Sequence, residues 1–139
     1  MRGVPFHGRA ALPLAVGAFV VWLACGLTMA FGRPTFGLET TLRIHAVAAP
    51  VYAALVSYAY FGYFRSVTPL AAAAFMTAFI IVLDVALVAP VFEKSYAMFG
   101  SVLGTWLPFL SIFAAAYLTG LWVIGNGGDP DGAIKRRAE

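Results

Sequence analysis

"AFIIVLDVALVAP", residues 78–90, decides how this chain folds. It is apolar from end to end except for Asp84, and the apolar run extends from Pro69 to Phe92. A helix needs about 20 mainly apolar residues, at about 1.5 Å each, to cross roughly 30 Å of hydrocarbon. The run meets that length and has no polar stripe that could face water. It reads as a membrane span with an acid inside it.

The rest of the sequence agrees. Of its 139 residues, 62% are hydrophobic and 11% are charged, and the mean hydropathy is +0.88. Soluble domains carry about 25% charged residues, so apolar surface in this excess has to face lipid. Three further spans are expected, over Ala11–Phe31, Ile44–Phe64 and Trp106–Ile124. Breakers separate them: "GRPTFG", "RSVTP", "EKSYAMFGSVLGT" and, after the last, "GNGGDPDG". Thr68 followed by Pro69 predicts a capped helix start, Thr105 is expected to cap the last span, and "RSVTP" predicts a tight hairpin between spans two and three. Arg2 and Arg9 precede the first span, and "TMA" (28–30) weakly resembles a cleavage site. Its apolar stretch exceeds the about 7–15 residues of a signal-peptide core, so a retained helix is expected.

The expected fold is therefore all-α: a four-helix transmembrane domain over 11–125, between an N-terminal segment (1–10) and a polar tail (126–139). Basic residues set its direction, because cytoplasmic loops are enriched in Lys and Arg. Arg2, Arg9, Arg65, Lys135, Arg136 and Arg137 fall on one side, and Arg33, Arg43 and Lys94 on the other. Both termini are expected in the cytoplasm, with the chain multi-pass in an inner (plasma) membrane. The net charge of +3 is spread over ends and loops, which gives nucleic-acid binding no support. A single cysteine, Cys25, rules out an intrachain disulfide, a C-x-x-C pair and a cysteine-rich metal site.

Laying residues 13–34 over 69–90 matches eight of 22 positions without a gap, among them the opening Pro-Leu-Ala and the closing proline. Shared membrane composition is one explanation. A duplicated helical hairpin, its halves running in the same direction, is the other. In that alignment Asp84 takes the place of Thr28.

At about 1.5 Å per residue, Asp84 lies roughly 12 Å below the outer boundary. Cys25, Tyr52 and Ser111 fall at similar depth, and Thr28 somewhat nearer the surface. These side chains define an expected polar layer, with Arg43, His45, Glu93 and Lys94 as a rim above it. An intramembrane carboxylate costs about 2.5–3.5 kcal/mol on insertion scales and usually faces a bundle interior or a water-filled cavity. Poised between desolvation and nearby positive charge, Asp84 can exchange a proton or bind a cation. The structural alternative is a protonated acid hydrogen-bonded to Tyr52 or Ser111. His45, near the expected start of its span, is read as an interfacial or capping residue. The other histidine, His7, falls on the opposite side, so a haem with paired axial histidines in one protomer is not expected. Neither a metal site nor any other cofactor is indicated. The small residues Gly26 and Ala30, 71–74, and Ala116 with Gly120 permit close helix approach.

"RIHAVAAP", the intramembrane Asp84, "FEKSYAMFGSVLGTWLPF" and "YLTG" together resemble a family of small four-span bacterial proteins usually described as uncharacterised. The resemblance covers most of residues 43–120. It implies a bacterial inner-membrane protein and brings no activity with it. Three functions fit the sequence. Foremost is a transporter, a homodimer because four helices give little wall around a pathway, with Asp84 as its proton or cation site. The second is an accessory or assembly subunit of a larger membrane complex, Asp84 pairing with a partner helix. Less favoured is an enzyme, since Arg43, His45, Asp84 and Glu93 show no recognisable catalytic spacing.

Overall fold

The computed structural model describes residues 8–65 and 67–126; the N-terminal segment and the polar tail lie largely outside them. Among the described residues there are four helices long and apolar enough to cross a membrane. They are α1 (Gly8–Phe36), α2 (Leu38–Tyr63), α3 (Pro69–Leu83) and α4 (Leu107–Asn126). α3 continues as a wider π-helical segment, Asp84–Phe92, and α4 is preceded by a five-residue π turn, Val102–Trp106.

The first correction concerns "GRPTFG", which is helix almost throughout. α1 runs past Pro34 to Phe36, and Gly37 alone separates it from α2. Proline's ring clashes with the carbonyl four residues back, but here that falls in the helix's last turns, where the chain is about to leave in any case. Gly37 then takes φ 81°, a conformation that costs glycine nothing. Its N–H reaches the Arg33 carbonyl at 3.1 Å, and its own carbonyl accepts from Thr41 at 3.1 Å, so one residue closes one helix and opens the next. Both helices are consequently longer than the lipid core requires, and Arg33, Glu39 and Arg43 ride on their extensions.

A second correction concerns the hairpin between α2 and α3. The connection is short, and Thr68 does cap α3, accepting from the Ala71 N–H with Pro69 in the first turn. The two helices nevertheless do not pack along their lengths. α1 packs against α2 and α3, and α4 packs against the same two. The bundle is a square in the order α1, α2, α4, α3, with α2 and α3 on a diagonal. It consists of two hairpins side by side: α1 lies parallel to α3, and α2 parallel to α4. Small residues explain the choice of neighbours. A Cβ on Gly120 of α4 would come within 2.7 Å of the Phe61 ring and 2.9 Å of Pro69, so α4 can seat against the end of α2 only because that position is bare.

The end holding Gly37 and the 93–106 loop is called distal below, and the end holding Gly8 and Asn126 terminal. In the distal loop the cap is Ser101, not Thr105: its hydroxyl accepts from the Gly104 N–H at 2.9 Å. The Thr105 hydroxyl instead donates to the Met98 carbonyl at 2.6 Å, and the Trp106 indole to the Phe99 carbonyl at 2.7 Å. The loop thereby satisfies backbone groups that lipid would leave stranded.

These contacts predict opposite outcomes for two glycine substitutions. Gly120→Ala should lower stability by about 1–3 kcal/mol through overpacking. Gly125→Ala, where nothing lies within 4 Å of the added carbon, should leave it unchanged. Thermal unfolding of the detergent-solubilised protein checks both.

Candidate functional site

Asp84 extends the stripe along which α3 buries Ala73, Met76 and Ile80, three to four residues apart, so it faces the bundle rather than lipid. It also opens the π-helical segment. Pro90 lacks an N–H and its ring excludes the carbonyl four residues back. The chain widens there, and hydrogen bonds reach one residue further, as from the Glu93 N–H to the Val88 carbonyl at 2.8 Å. π segments of this kind concentrate at functional sites. The segment closes at Lys94, whose φ of 52° turns Ser95 back to donate to the Ala89 carbonyl at 2.9 Å.

The indole Nε1–H of Trp22, on α1, donates to Asp84 Oδ1 at 2.9 Å. Sequence reasoning missed Trp22. The available signal was its place in mid-span, away from the interfacial belts where tryptophan collects, since a buried indole N–H needs an acceptor. Cys25, one helical turn further along α1, packs against the core.

A second polar couple lies one more turn toward the distal end. The Thr28 hydroxyl donates to the Ala24 carbonyl at 2.8 Å and meets the Tyr52 hydroxyl at 2.9 Å. Thr28 has one proton and has already given it away, so Tyr52 is the donor between them.

The expected layer thus separates into two couples, Trp22–Asp84 between α1 and α3 and Thr28–Tyr52 between α1 and α2. Ser111 belongs to neither: its hydroxyl donates to the Pro108 carbonyl of its own helix at 2.9 Å. The expected rim divides as well. Glu93 pairs with Arg33 at 2.7 Å, joining the distal ends of α1 and α3. Arg43 turns outward to Glu39, four residues earlier on the same helix, at 2.6 Å. Lys94 is exposed. His45 does not cap α2, which starts seven residues before it. It lies on the buried stripe Thr41, His45, Ala49, Ala53, and its Nδ1 is without a partner, as are the hydroxyls of Ser57 and Thr77.

No group of three His, Cys, Asp or Glu side chains suited to a metal ion occurs among the described residues. An open groove of about 510 Å³ lies at the terminal end, lined by Tyr58, Gly62, Arg65, Trp122 and Asn126 among others. It is remote from Asp84. Comparison with protein-family models, with curated proteins and with solved structures finds no match.

Trp22→Phe and Asp84→Ala should be energetically coupled. A double-mutant cycle on thermal stability is expected to give about 0.6–1.7 kcal/mol, the range for hydrogen bonds between membrane helices. The same cycle between Trp22→Phe and Ser111→Ala should give a value indistinguishable from zero.

Proposed function

We propose that the chain is a small membrane transporter, working as a homodimer, that takes up and releases a proton or small cation at Asp84. The observation that carries this reading is the way Asp84 is held. It faces the bundle at membrane depth, and among the described residues its hydrogen-bond partner is one neutral indole. The ion pairs among the described spans, Arg33–Glu93 and Arg43–Glu39, lie at the distal end and do not involve it. A carboxylate retained only to fasten helices is expected to have a countercharge or several donors, because an unpaired charge in a low-dielectric interior is destabilising. A carboxylate offers about four lone-pair positions, and one neutral N–H leaves room for a visiting proton or cation.

Self-association is supported by α1, which turns Gly26 and Ala30 outward next to the site, with nothing of the same chain within 4 Å of where a Gly26 side chain would stand. Small residues four apart let a second helix come close, and a second copy would add wall beside Asp84. We further propose a bacterial inner membrane with both termini cytoplasmic, on the strength of the six basic residues assigned to that side against three.

Two measurements test the proposal. In mild detergent the tagged protein should have the mass of a dimer; a reproducible set of other polypeptides would make it a subunit of their complex instead. On a solid-supported membrane, a pH or sodium jump should displace charge in the native protein and not in Asp84→Asn. Currents of equal size in the two would overturn the assignment of Asp84.

A further inference from the structure

Burial changes abruptly along the bundle at the level of the Trp22–Asp84 couple. On its terminal side the core is closed: Leu14, Ala18 and Val21 of α1 are at most 1% exposed, and Ala73, Met76 and Ile80 of α3 at most 3%, with the hydroxyls of Ser57 and Thr77 buried among them. On its distal side α1 buries Gly32 alone among residues 22–36, and the π-helical segment of α3 buries Ala89 alone. α2 and α4 show no such change, burying residues along their whole lengths. The loosening is therefore confined to the α1–α3 side, and it begins where Asp84 sits.

The inner face of α1 becomes polar at the same level. Along α1, Trp22, Cys25 and Thr28 follow one another at intervals of three residues, which keeps them on adjoining faces of successive turns. All three are half-buried, and the Tyr52 hydroxyl joins them at Thr28. Nearer the surface, the Arg33–Glu93 ion pair ties α1 to the end of the α3 extension, with the two side chains 43% and 29% exposed. Polar groups at membrane depth need a protein or water partner. A graded row of half-buried polar side chains, open toward the surface and backed by a closed core, suits water entering from one end only.

We infer that Asp84 is reached from the distal end, between α1 and α3, past Cys25 and Thr28, and that the Arg33–Glu93 pair is the latch over this route. The apolar stripe of Val21, Ala18, Met76 and Ile80 seals the carboxylate from the terminal end. The inference rests on the reading of Asp84 as a proton or cation site and adds the direction from which it is loaded. A half-exposed ion pair contributes little and is screened by salt, so such a latch opens readily.

Cys25 is the chain's sole cysteine, and so the native protein carries its own reporter one turn along α1 from Trp22, the partner of Asp84. A positively charged, membrane-impermeant methanethiosulfonate, matching the cation the site is proposed to admit, is added to either side of proteoliposomes of determined orientation, and modification is counted by intact mass. Cys25 should react from the distal side and not from the terminal side. Glu93→Gln should raise the distal rate roughly threefold to fivefold, as expected from losing one half-exposed ion pair. Cys25→Ala should abolish the signal, while Ser95→Cys in that background, on the exposed distal loop, should react at once from the distal side.

Reaction from the terminal side, or equal rates from both sides, would overturn the inference. So would a Cys25 that stays unmodified in both the native protein and Glu93→Gln while the Ser95→Cys control reacts. If charge displacement at Asp84 persists alongside any of those outcomes, the access route fails and the Asp84 site stands. If the labelling is as expected but no charge displacement occurs, the site fails and the route is only a wet crevice.

Discussion

The indole N–H of Trp22 supplies Asp84 with its hydrogen bond across the α1–α3 interface, and much of the distal half of the molecule is arranged around that contact. Lipid provides no competing partner, so a donor and an acceptor left apart at this depth would each remain unsatisfied. Trp22 and Asp84 therefore fix the level at which α1 and α3 lie together. The Arg33–Glu93 pair repeats nearly the same register nearer the surface. Between these two ties α3 widens around Pro90, and the space between the helices is left to small and half-buried residues.

The square arrangement follows from where close approach is possible. Gly32 receives the Thr41 side chain, Gly17 lies against Val56, and Gly120 lies against Phe61. These contacts bind α1 to α2 and α2 to α4, forming a closed wall along one side of the bundle. α3 is held to α1 by apolar side chains in the terminal half and by polar groups from Asp84 onward, and to α4 by its apolar face. The two pairs of parallel helices thus differ in kind. α2 with α4 is a packed seam, and α1 with α3 is one that turns polar and loosens toward the distal end. A site that must admit and release something is better placed on the second kind, because segments with fewer buried contacts open at lower free energy.

Much of this was legible in the sequence, for physical reasons that can be named. The four spans follow from apolar length alone, and the start of α3 follows from Thr68 and Pro69, whose capping chemistry is local. Asp84 stands out because no other acid interrupts a span. What lay beyond reach depended on helix rotation. Depth put Ser111 level with Asp84, but Ser111 bonds within its own helix. Depth also grouped Arg43 with Glu93, whereas rotation sends Arg43 to Glu39 and brings Arg33 to Glu93. The "GRPTFG" segment read as a loop because glycine and proline usually punctuate helices, yet a proline in a last turn and one glycine at positive φ accomplish the reversal with a single non-helical residue. Trp22 was hidden by its own apolarity, since in a hydrophobic run its ring looks like core and only its N–H marks it as the partner of an acid.

Whether Asp84 changes its protonation or its ligand in the working protein can be observed directly. Infrared difference spectroscopy on the reconstituted protein, switched between acidic and alkaline buffer and between sodium-free and sodium-loaded states, reports the carboxyl of Asp84 through bands that vanish in Asp84→Asn. A carboxyl band that responds to one of these changes, and shifts in Trp22→Phe because its hydrogen bond has gone, is the result this account predicts. A band assigned to Asp84 that stays fixed under all of them would contradict it, and would leave the acid as a structural tie between α1 and α3.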